Sequence, residues 1–151
     1  MIGRDDLGTW VLTRSRGDSL SCWVKTDLLK VSADVQCLPR INADDFGLPR
    51  SPYYGPLTGV SASRSGEMVT VTWNALDLRP GDDSLQTPYV VEAWVCRSGR
   101  LLFVPTGAYA TSARIKDEAG CSEPSHGRVM GVEKHGYTLW IEIPWLPAPK
   151  P

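Results

Sequence analysis

Short runs of alternating apolar and polar residues recur on both sides of residues 39–56. The clearest is residues 67–74, EMVTVTWN, in which Val69, Val71 and Trp73 fall on one face. A period of two is typical of a half-buried β-strand, because successive side chains of a strand point to opposite faces. No segment shows the spacing of an amphipathic helix. The pattern therefore predicts an all-β fold, with strands at residues 9–14, 20–25, 28–33, 57–63, 68–73, 88–97, 100–105, 108–117, 127–134 and 137–143.

The last strand also predicts which of its side chains are buried. Tyr137, Leu139, Ile141 and Ile143 occupy alternate positions, so we expect them to share the buried face. Trp140 then falls on the opposite face of the sheet.

Turn-forming residues separate the runs and divide the chain. Clusters of glycine, serine and similar residues predict hairpin turns at 15–19, 64–66, 98–99 and 135–136. Residues 39–56 contain four prolines, which block both helices and central strands, so we predict a connector there. The closely spaced strands of residues 57–147 predict an antiparallel sandwich. The three runs within residues 1–38 are too few to close a barrel and predict only a partial β segment.

Charge and hydropathy exclude some partners and leave the compartment open. The 151-residue chain has a net charge of -1, which gives no electrostatic reason to expect nucleic acid as a partner. No apolar run approaches the roughly 20 residues needed to cross a bilayer. The first ten residues lack the apolar core of a signal peptide. Either the protein stays in the cytosol, or an exported N-terminus lies upstream of Met1.

The cysteines favour the second alternative. Cys22, Cys37, Cys96 and Cys121 include no C-x-x-C pair, which argues against a zinc ribbon. Because the proline-rich connector separates them into two local pairs, we predict the disulfides Cys22–Cys37 and Cys96–Cys121, each adding about 3 kcal/mol to stability. Two disulfides imply an oxidising compartment, so we predict an extracellular or cell-envelope protein. Four buried free thiols are the alternative.

Part of the N-terminal segment resembles the second half of a bacterial SH3 (SH3b) domain. A strand, a Gly-Asp turn and a C-W-V strand follow one another, and the resemblance rests on Gly8, Trp10–Leu12, Cys22–Val24, Leu29, Val31, Asp34 and Cys37–Pro39. The resemblance covers residues 1–38 and implies that the first strands of such a domain precede Met1. It also implies contact with cell-wall peptide or glycan.

Residues 57–147 resemble a fibronectin type III domain, an immunoglobulin-like β-sandwich. The resemblance rests on V-S-A-S at 60–63, a strand ending at Trp73, a strand led by Tyr89, a loop closed by Cys121 and a final hairpin. An SH3b-like half, a proline-rich connector and such a sandwich together are similar to uncharacterised exported bacterial envelope proteins. This combination implies binding or spacing rather than chemistry.

Two short motifs lie in the first predicted turn. Residues 17–20 spell Gly-Asp-Ser-Leu, the sequence that holds the nucleophile of GDSL esterases. In those enzymes the serine at the position of Ser19 attacks an ester, and a downstream Asp-x-x-His supplies the base. Neither His126 nor His135 has an aspartate three residues before it, and a serine without a base is a poor nucleophile. Residues 16–18 spell Arg-Gly-Asp, an integrin-binding tripeptide. Turn chemistry alone explains the Gly-Asp pair, so we predict a plain hairpin turn.

Other polar residues suggest metal sites without completing one. Glu133, His126 and His135 are suitable zinc or copper ligands, but His135 already belongs to a predicted turn. Asp82 and Asp83, with Asp77 nearby, are suitable calcium ligands, but the spacing of an EF-hand is absent. We therefore predict no catalytic, metal-binding or cofactor-binding residues.

Aromatic residues are the remaining candidate ligand contacts. Tyr53, Tyr54, Trp94, Tyr109 and Trp140 are suited to an aromatic platform for a glycan. We select Trp94, Tyr109 and Trp140 as candidate ligand-contacting residues. Packing in the core or between domains is the alternative.

The sequence thus favours a non-catalytic binding or spacer module of an exported envelope protein, with cell-wall polymer or another protein as partner. One alternative is a protein–protein interaction module that adds an edge strand of the sandwich to a partner sheet. A minor alternative is a hydrolase that uses Ser19 or a metal held by His126 and His135.

Overall fold

The computed structural model describes residues 1–14, 17, 21–41, 44, 47–85 and 87–148. Eleven strands lie within these ranges: β1 (Gly3–Arg4), β2 (Trp10–Arg14), β3 (Ser21–Lys25), β4 (Ser61–Ser65), β5 (Met68–Thr72), β6 (Tyr89–Arg97), β7 (Arg100–Ala108), β8 (Ser112–Lys116), β9 (His126–Glu133), β10 (Gly136–Tyr137) and β11 (Ile141–Glu142). Short 3-10 helices cover Thr26–Leu28 and Val35–Cys37. All strands pair antiparallel, so the all-β prediction is confirmed. No helix in the described ranges is long and apolar enough to cross a membrane.

The chain divides into two compact units, Met1–Pro49 and Arg50–Pro151. In the first unit, β2 lies between β1 and β3. The turn between β1 and β2 is held by the buried carboxylate of Asp5, which accepts hydrogen bonds from the amide of Trp10 at 2.9 Å and the hydroxyl of Thr9 at 2.7 Å. These bonds replace the water that Asp5 loses on burial.

One feature of the first unit differs from the sequence prediction. Residues 28–33 form no strand: a 3-10 helix begins at Thr26, and Leu28 is exposed rather than packed against a neighbouring strand. Residues 39–41, at the start of the predicted connector, hydrogen-bond to β1 through the amide of Ile41 and the carbonyl oxygen of Arg4 at 3.0 Å. Gly3 allows this approach, because a Cβ there would clash with the Ile41 side chain.

The second unit is a β-sandwich of two antiparallel sheets. One sheet has the order β4-β5-β8, and the other has β10-β9-β6-β7, with β11 following β10 along the same edge of β9. Their inner faces enclose one hydrophobic core, to which β5 contributes Val69 and Val71, and β6 contributes Val91, Ala93 and Val95. The sandwich prediction is confirmed.

Trp73 lies in this core, as the alternation in residues 67–74 predicts. Its ring meets that of Tyr89 edge to face, with the ring centroids 5.3 Å apart. The hydroxyl of Tyr89 accepts a hydrogen bond from the amide of Leu76 at 3.1 Å, so the buried tyrosine keeps a polar partner.

The β6–β7 hairpin turns at Ser98 and Gly99, as predicted. Both residues have positive φ, +50° and +74°, which is the geometry of a type I′ turn and suits glycine at the second position. β7 continues to Ala108, so the strand predicted at 108–117 is only the shorter β8.

The strand predicted at 137–143 is interrupted by a β-bulge. Tyr137 pairs with Val132, and Ile141 pairs with Val129. Residues 138–140 therefore lie opposite only residues 130–131, which leaves one extra residue on this strand. The shared face predicted for the four alternating residues is wrong for this reason, and Leu139 is exposed.

Residues 138–140 form this bulge with the help of a side chain. The amide of Thr138 donates to the carbonyl oxygen of Gly131, and the amide of Gly131 donates to the hydroxyl of Thr138, both at 3.0 Å. The threonine hydroxyl thus takes the place of a backbone acceptor where the extra residue disrupts the ladder.

Candidate functional site

Trp94, one of the predicted ligand contacts, lies on the outer face of the sheet formed by β6, β7 and β9. It pairs with His126 on β9 and with Phe103 on β7. Its ring is stacked on the imidazole of His126, with an interplanar angle of 7° and centroids 4.9 Å apart. The ring of Phe103 lies at 5.0 Å with a tilt of 40°. Trp94 is therefore held by both neighbouring strands.

Arg128 connects Trp94 to Trp140. Its guanidinium carbon lies 5.4 Å from the ring centroid of Trp94 and 5.3 Å from that of Trp140. Each contact is a cation–π interaction, and such contacts contribute about 0.5–2 kcal/mol according to their exposure. We call the set of Trp94, His126, Arg128 and Trp140 the aromatic–arginine face.

A buried glutamate positions Arg128. Glu92 pairs with Arg128 across β6 and β9, and its Oε2 accepts a hydrogen bond from Nε of Arg128 at 2.5 Å. Arg128 also pairs with Glu142 on β11. Charge-assisted bonds of this kind fix both distance and orientation, so the guanidinium plane is oriented from β6.

The β-bulge brings Trp140 to this face. Because Ile141 pairs with the core residue Val129, Ile141 points toward the core and Trp140 points outward with Arg128. Without the extra residue the pairing would shift by one position, and the side chains of β11 would exchange faces. Trp140 is 43% exposed, so part of its ring is open to solvent.

The other aromatic candidates lie elsewhere. Tyr109 is 79% exposed and follows β7, outside the aromatic–arginine face. The ring of Tyr53 meets the imidazole of His135 edge to face at 4.9 Å. The hydroxyl of Tyr54 donates to Asp82 at 2.5 Å, and this bond raises the pKa of Tyr54. Sequence reasoning grouped these residues by type, and the fold separates them.

The cysteine predictions have different outcomes. Cys96, at the end of β6, and Cys121 form the predicted disulfide, with their Cα atoms 5.7 Å apart. The predicted Cys22–Cys37 disulfide is wrong, because both thiols are free. Cys22 lies on β3 with its sulfur 3.3 Å from the hydroxyl of Thr13, whereas Cys37 ends a 3-10 helix that buries Val35 and leaves Cys37 exposed.

The disulfide adjoins a buried carboxylate that the sequence analysis did not select. Asp117 accepts hydrogen bonds from the hydroxyl of Ser125 at 2.6 Å, the amide of Cys96 at 2.9 Å and the indole N–H of Trp145 at 3.0 Å. It also forms an ion pair with Arg64. Burial alone would raise the pKa of Asp117, but these hydrogen bonds and the guanidinium lower it below its ordinary value.

The histidines do not form a joint site with Glu133. His126 is stacked on Trp94, whereas Nδ1 of His135 lies 2.8 Å from Oε2 of Glu133. Burial would raise the pKa of Glu133, but bonds from Ser51 and from the backbone and ring of His135 lower it. Across the ranges that the structure covers, no three His, Cys, Asp or Glu side chains are grouped as metal ligands.

Several sequence candidates receive no structural assignment. Arg16, Asp18 and Ser19 lie outside the described residues, so the structure does not place either motif of the first turn. Asp82 accepts a hydrogen bond from Tyr54, as stated above, and among the described residues it forms no metal-ligand group with Asp77 and Asp83.

Sequence reasoning missed Glu92, Arg128 and Asp117. Glu92 carried a usable signal, because a charged residue within the apolar run PYVVEAWVC needs a partner if it is buried. Its partner, Arg128, is 36 residues away, and only the β6–β9 register identifies it. Asp117 looks like an ordinary loop acid in the sequence.

Comparison with known proteins identifies no family for this chain. No family model matches the chain, and no curated protein matches it. Solved structures similar to it include titin kinase and its flanking domains, at 22% identity and TM-score 0.47, covering 65% of this chain and 18% of that chain. A Fn3-like protein from Clostridium thermocellum is 26% identical with TM-score 0.43, covering 64% of this chain and 95% of that chain. The twitchin kinase region from C. elegans is 22% identical with TM-score 0.44, covering 60% of this chain and 16% of that chain.

Proposed function

We propose that the chain is a non-catalytic binding module of an exported bacterial envelope protein, and that its sandwich contacts a cell-wall glycan through the aromatic–arginine face. The observation that carries this proposal is the exposure of Trp140, 43%, above a guanidinium that is itself held by a buried glutamate. An exposed indole on a rigid support is suited to ligand contact, because its position is fixed before binding.

The chemistry of the face suits a sugar. Trp140 offers a flat apolar surface against the C–H face of a pyranose ring, and aromatic side chains of this kind commonly line ligand sites. The guanidinium of the neighbouring Arg128 supplies donors for sugar hydroxyls or for a carboxylate of the sugar. The carboxylate of Glu142 supplies an acceptor for sugar hydroxyls. Trp94 contacts Arg128 and is itself in contact with His126 and Phe103, so its function in this proposal is to position Arg128.

The domain division and the compartment belong to the same proposal. We interpret residues 1–38 as the C-terminal half of an SH3b domain, residues 39–56 as a connector and residues 57–147 as the sandwich. The antiparallel β2–β3 pair, from Trp10 opposite Lys25 to Arg14 opposite Ser21, is consistent with that interpretation. The Cys96–Cys121 disulfide supports an oxidising, extracellular or envelope location.

A sedimentation assay with purified cell-wall sacculi tests the proposal. We expect the full chain to be retained, and Trp140→Ala to reduce retention by about tenfold, the loss of a ring contact worth roughly 1.4 kcal/mol. Tyr109→Ala is the matched control, because Tyr109 is also an exposed aromatic residue but lies outside the face. Absence of wild-type retention, or equal losses in both variants, would contradict the proposal.

The alternative of edge-strand addition has less support. β7 is the longest edge strand of the sandwich, and Pro105 in its interior has no N–H to donate to an added strand. Proline on an edge is one of the ways in which sheets avoid pairing with other chains. The hydrolase alternative has no structural support from His126 and His135, which contact Trp94 and Glu133.

A further inference from the structure

The second unit has a groove that is separate from the aromatic–arginine face. It lies between the disulfide-closed loop of residues 118–125 and the C-terminal segment 145–148, and its volume is about 600 Å³. This volume is within the range of natural ligand sites. The Cys96–Cys121 disulfide, Pro124, Trp145 and Pro147 supply apolar lining.

Both walls of the groove are fixed by the same buried carboxylate. On the loop side, Asp117 accepts a hydrogen bond from Ser125, and the disulfide closes the loop. On the C-terminal side, Asp117 accepts one from the indole of Trp145. Arg64, the ion-pair partner of Asp117, donates to the carbonyl oxygen of Leu146 at 2.8 and 3.0 Å. The groove is therefore formed before any ligand binds, which lowers the entropic cost of binding.

The charge of the groove is one-sided. Its lining includes the carboxylates of Glu118 and Glu123, and none of the described residues that line it is lysine, arginine or histidine. The ammonium of Lys116, 2.7 Å from Oε1 of Glu118, lowers the pKa of Glu118, as does the amide of Ser98, so Glu118 is ionised at neutral pH and already has a cationic partner. Glu123 is exposed at the rim.

We propose that this groove binds a short extended peptide segment of a partner protein, with a lysine or arginine next to an apolar residue or proline. The cation is attracted by Glu123, and the apolar residue packs on Trp145 and the disulfide. The argument for this occupant is complementarity of charge combined with complementarity of apolar surface. Glu118 is already paired with Lys116, so Glu123 is the carboxylate that the cation of the peptide would neutralise.

A peptide array tests this proposal with the full chain. The probes are amidated hexapeptides of proline, leucine and lysine, each matched by a peptide in which glutamate replaces lysine. We expect retention on the lysine peptides, little on the glutamate peptides, and a decline as salt is raised. Glu123→Gln should weaken retention by about threefold, as expected for an exposed charge pair.

Two further variants make the result specific. Glu67→Gln is the matched control, because Glu67 is an exposed glutamate that does not line the groove, and it should leave retention unchanged. Trp140→Ala should also leave it unchanged, so this proposal and the glycan proposal can fail separately. Equal retention on lysine and glutamate peptides, or equal effects of Glu123→Gln and Glu67→Gln, would overturn the proposal.

Discussion

Arg64 and Asp117 form an ion pair inside the sandwich, where their side chains are 7% and 1% exposed. The guanidinium also donates to the carbonyl oxygens of Leu146 and Asp117, and the carboxylate also accepts from Trp145. Because the bonds reach β4, the disulfide loop and the C-terminal segment, one pair of side chains ties three parts of the unit together.

Loss of the charge on Asp117 should destabilise the second unit. Asp117→Asn leaves the buried guanidinium of Arg64 without its counterion, and an unpaired buried charge costs about 3 kcal/mol or more. We expect a fall of that size in the free energy of unfolding measured by hydrogen exchange of the β5 and β6 amides, which report on the second unit alone. Asp77→Asn, at an exposed aspartate, should change it by less than about 0.5 kcal/mol. Equal effects in the two variants would show that the ion pair contributes nothing.

Acid should destabilise the same unit. The pKa values of Asp117 and Glu133 are lower in the folded chain than their ordinary values, so the unfolded chain binds these protons more readily. The stabilisation is therefore complete above the unfolded pKa values of about 4 and is lost as pH falls through the folded ones. Hydrogen exchange or urea unfolding between neutral and strongly acidic pH should show stability falling below about pH 4.

The Asp117→Asn variant separates the contribution of this carboxylate to the acid effect. Asparagine does not titrate in this range, so the variant should have a shallower dependence of unfolding free energy on pH than the wild type. An unchanged slope would assign the acid sensitivity to other groups, such as Glu133.

The thiol count distinguishes one disulfide from two. The structure has the Cys96–Cys121 bond and two free thiols, Cys22 and Cys37. Alkylation of the denatured chain should therefore add two groups without reductant and four with it, as measured by intact mass. If no group is added without reductant, Cys22 and Cys37 also form a disulfide, as the sequence predicted. Replacing Cys96 and Cys121 together by serine should lower the free energy of unfolding by about 3 kcal/mol.

Local patterns in the sequence predicted those features of the fold that depend only on adjacent residues. The alternation of Val69, Val71 and Trp73 predicted a buried face, and Ser98–Gly99 predicted the tight turn that joins β6 and β7. These signals are local, because a strand's period and a turn's φ values depend on adjacent residues.

The candidate site depends on relationships between distant strands, which the sequence alone does not show. Trp94 and Trp140 were selected by residue type, but Arg128 joins them only because β9 lies between β6 and β11. The prediction for Cys22 and Cys37 failed for a related reason. Nearness in sequence does not bring two side chains together when the intervening chain directs one of them to solvent.

The β-bulge provides the most direct test of how Trp140 is placed. Thr138→Val keeps the shape of the side chain but removes the hydroxyl that accepts the amide hydrogen of Gly131. A buried N–H without an acceptor costs about 1–3 kcal/mol, so we expect unfolding at lower denaturant and faster exchange of the Gly131 amide. Trp140 should also lose its fixed position over Arg128, which would lower retention by cell-wall sacculi. Thr111→Val, at an exposed threonine, is the control and should change neither measurement. If the Gly131 amide stays protected in Thr138→Val, the bulge is held by backbone pairing alone, and the position of Trp140 does not depend on this hydroxyl.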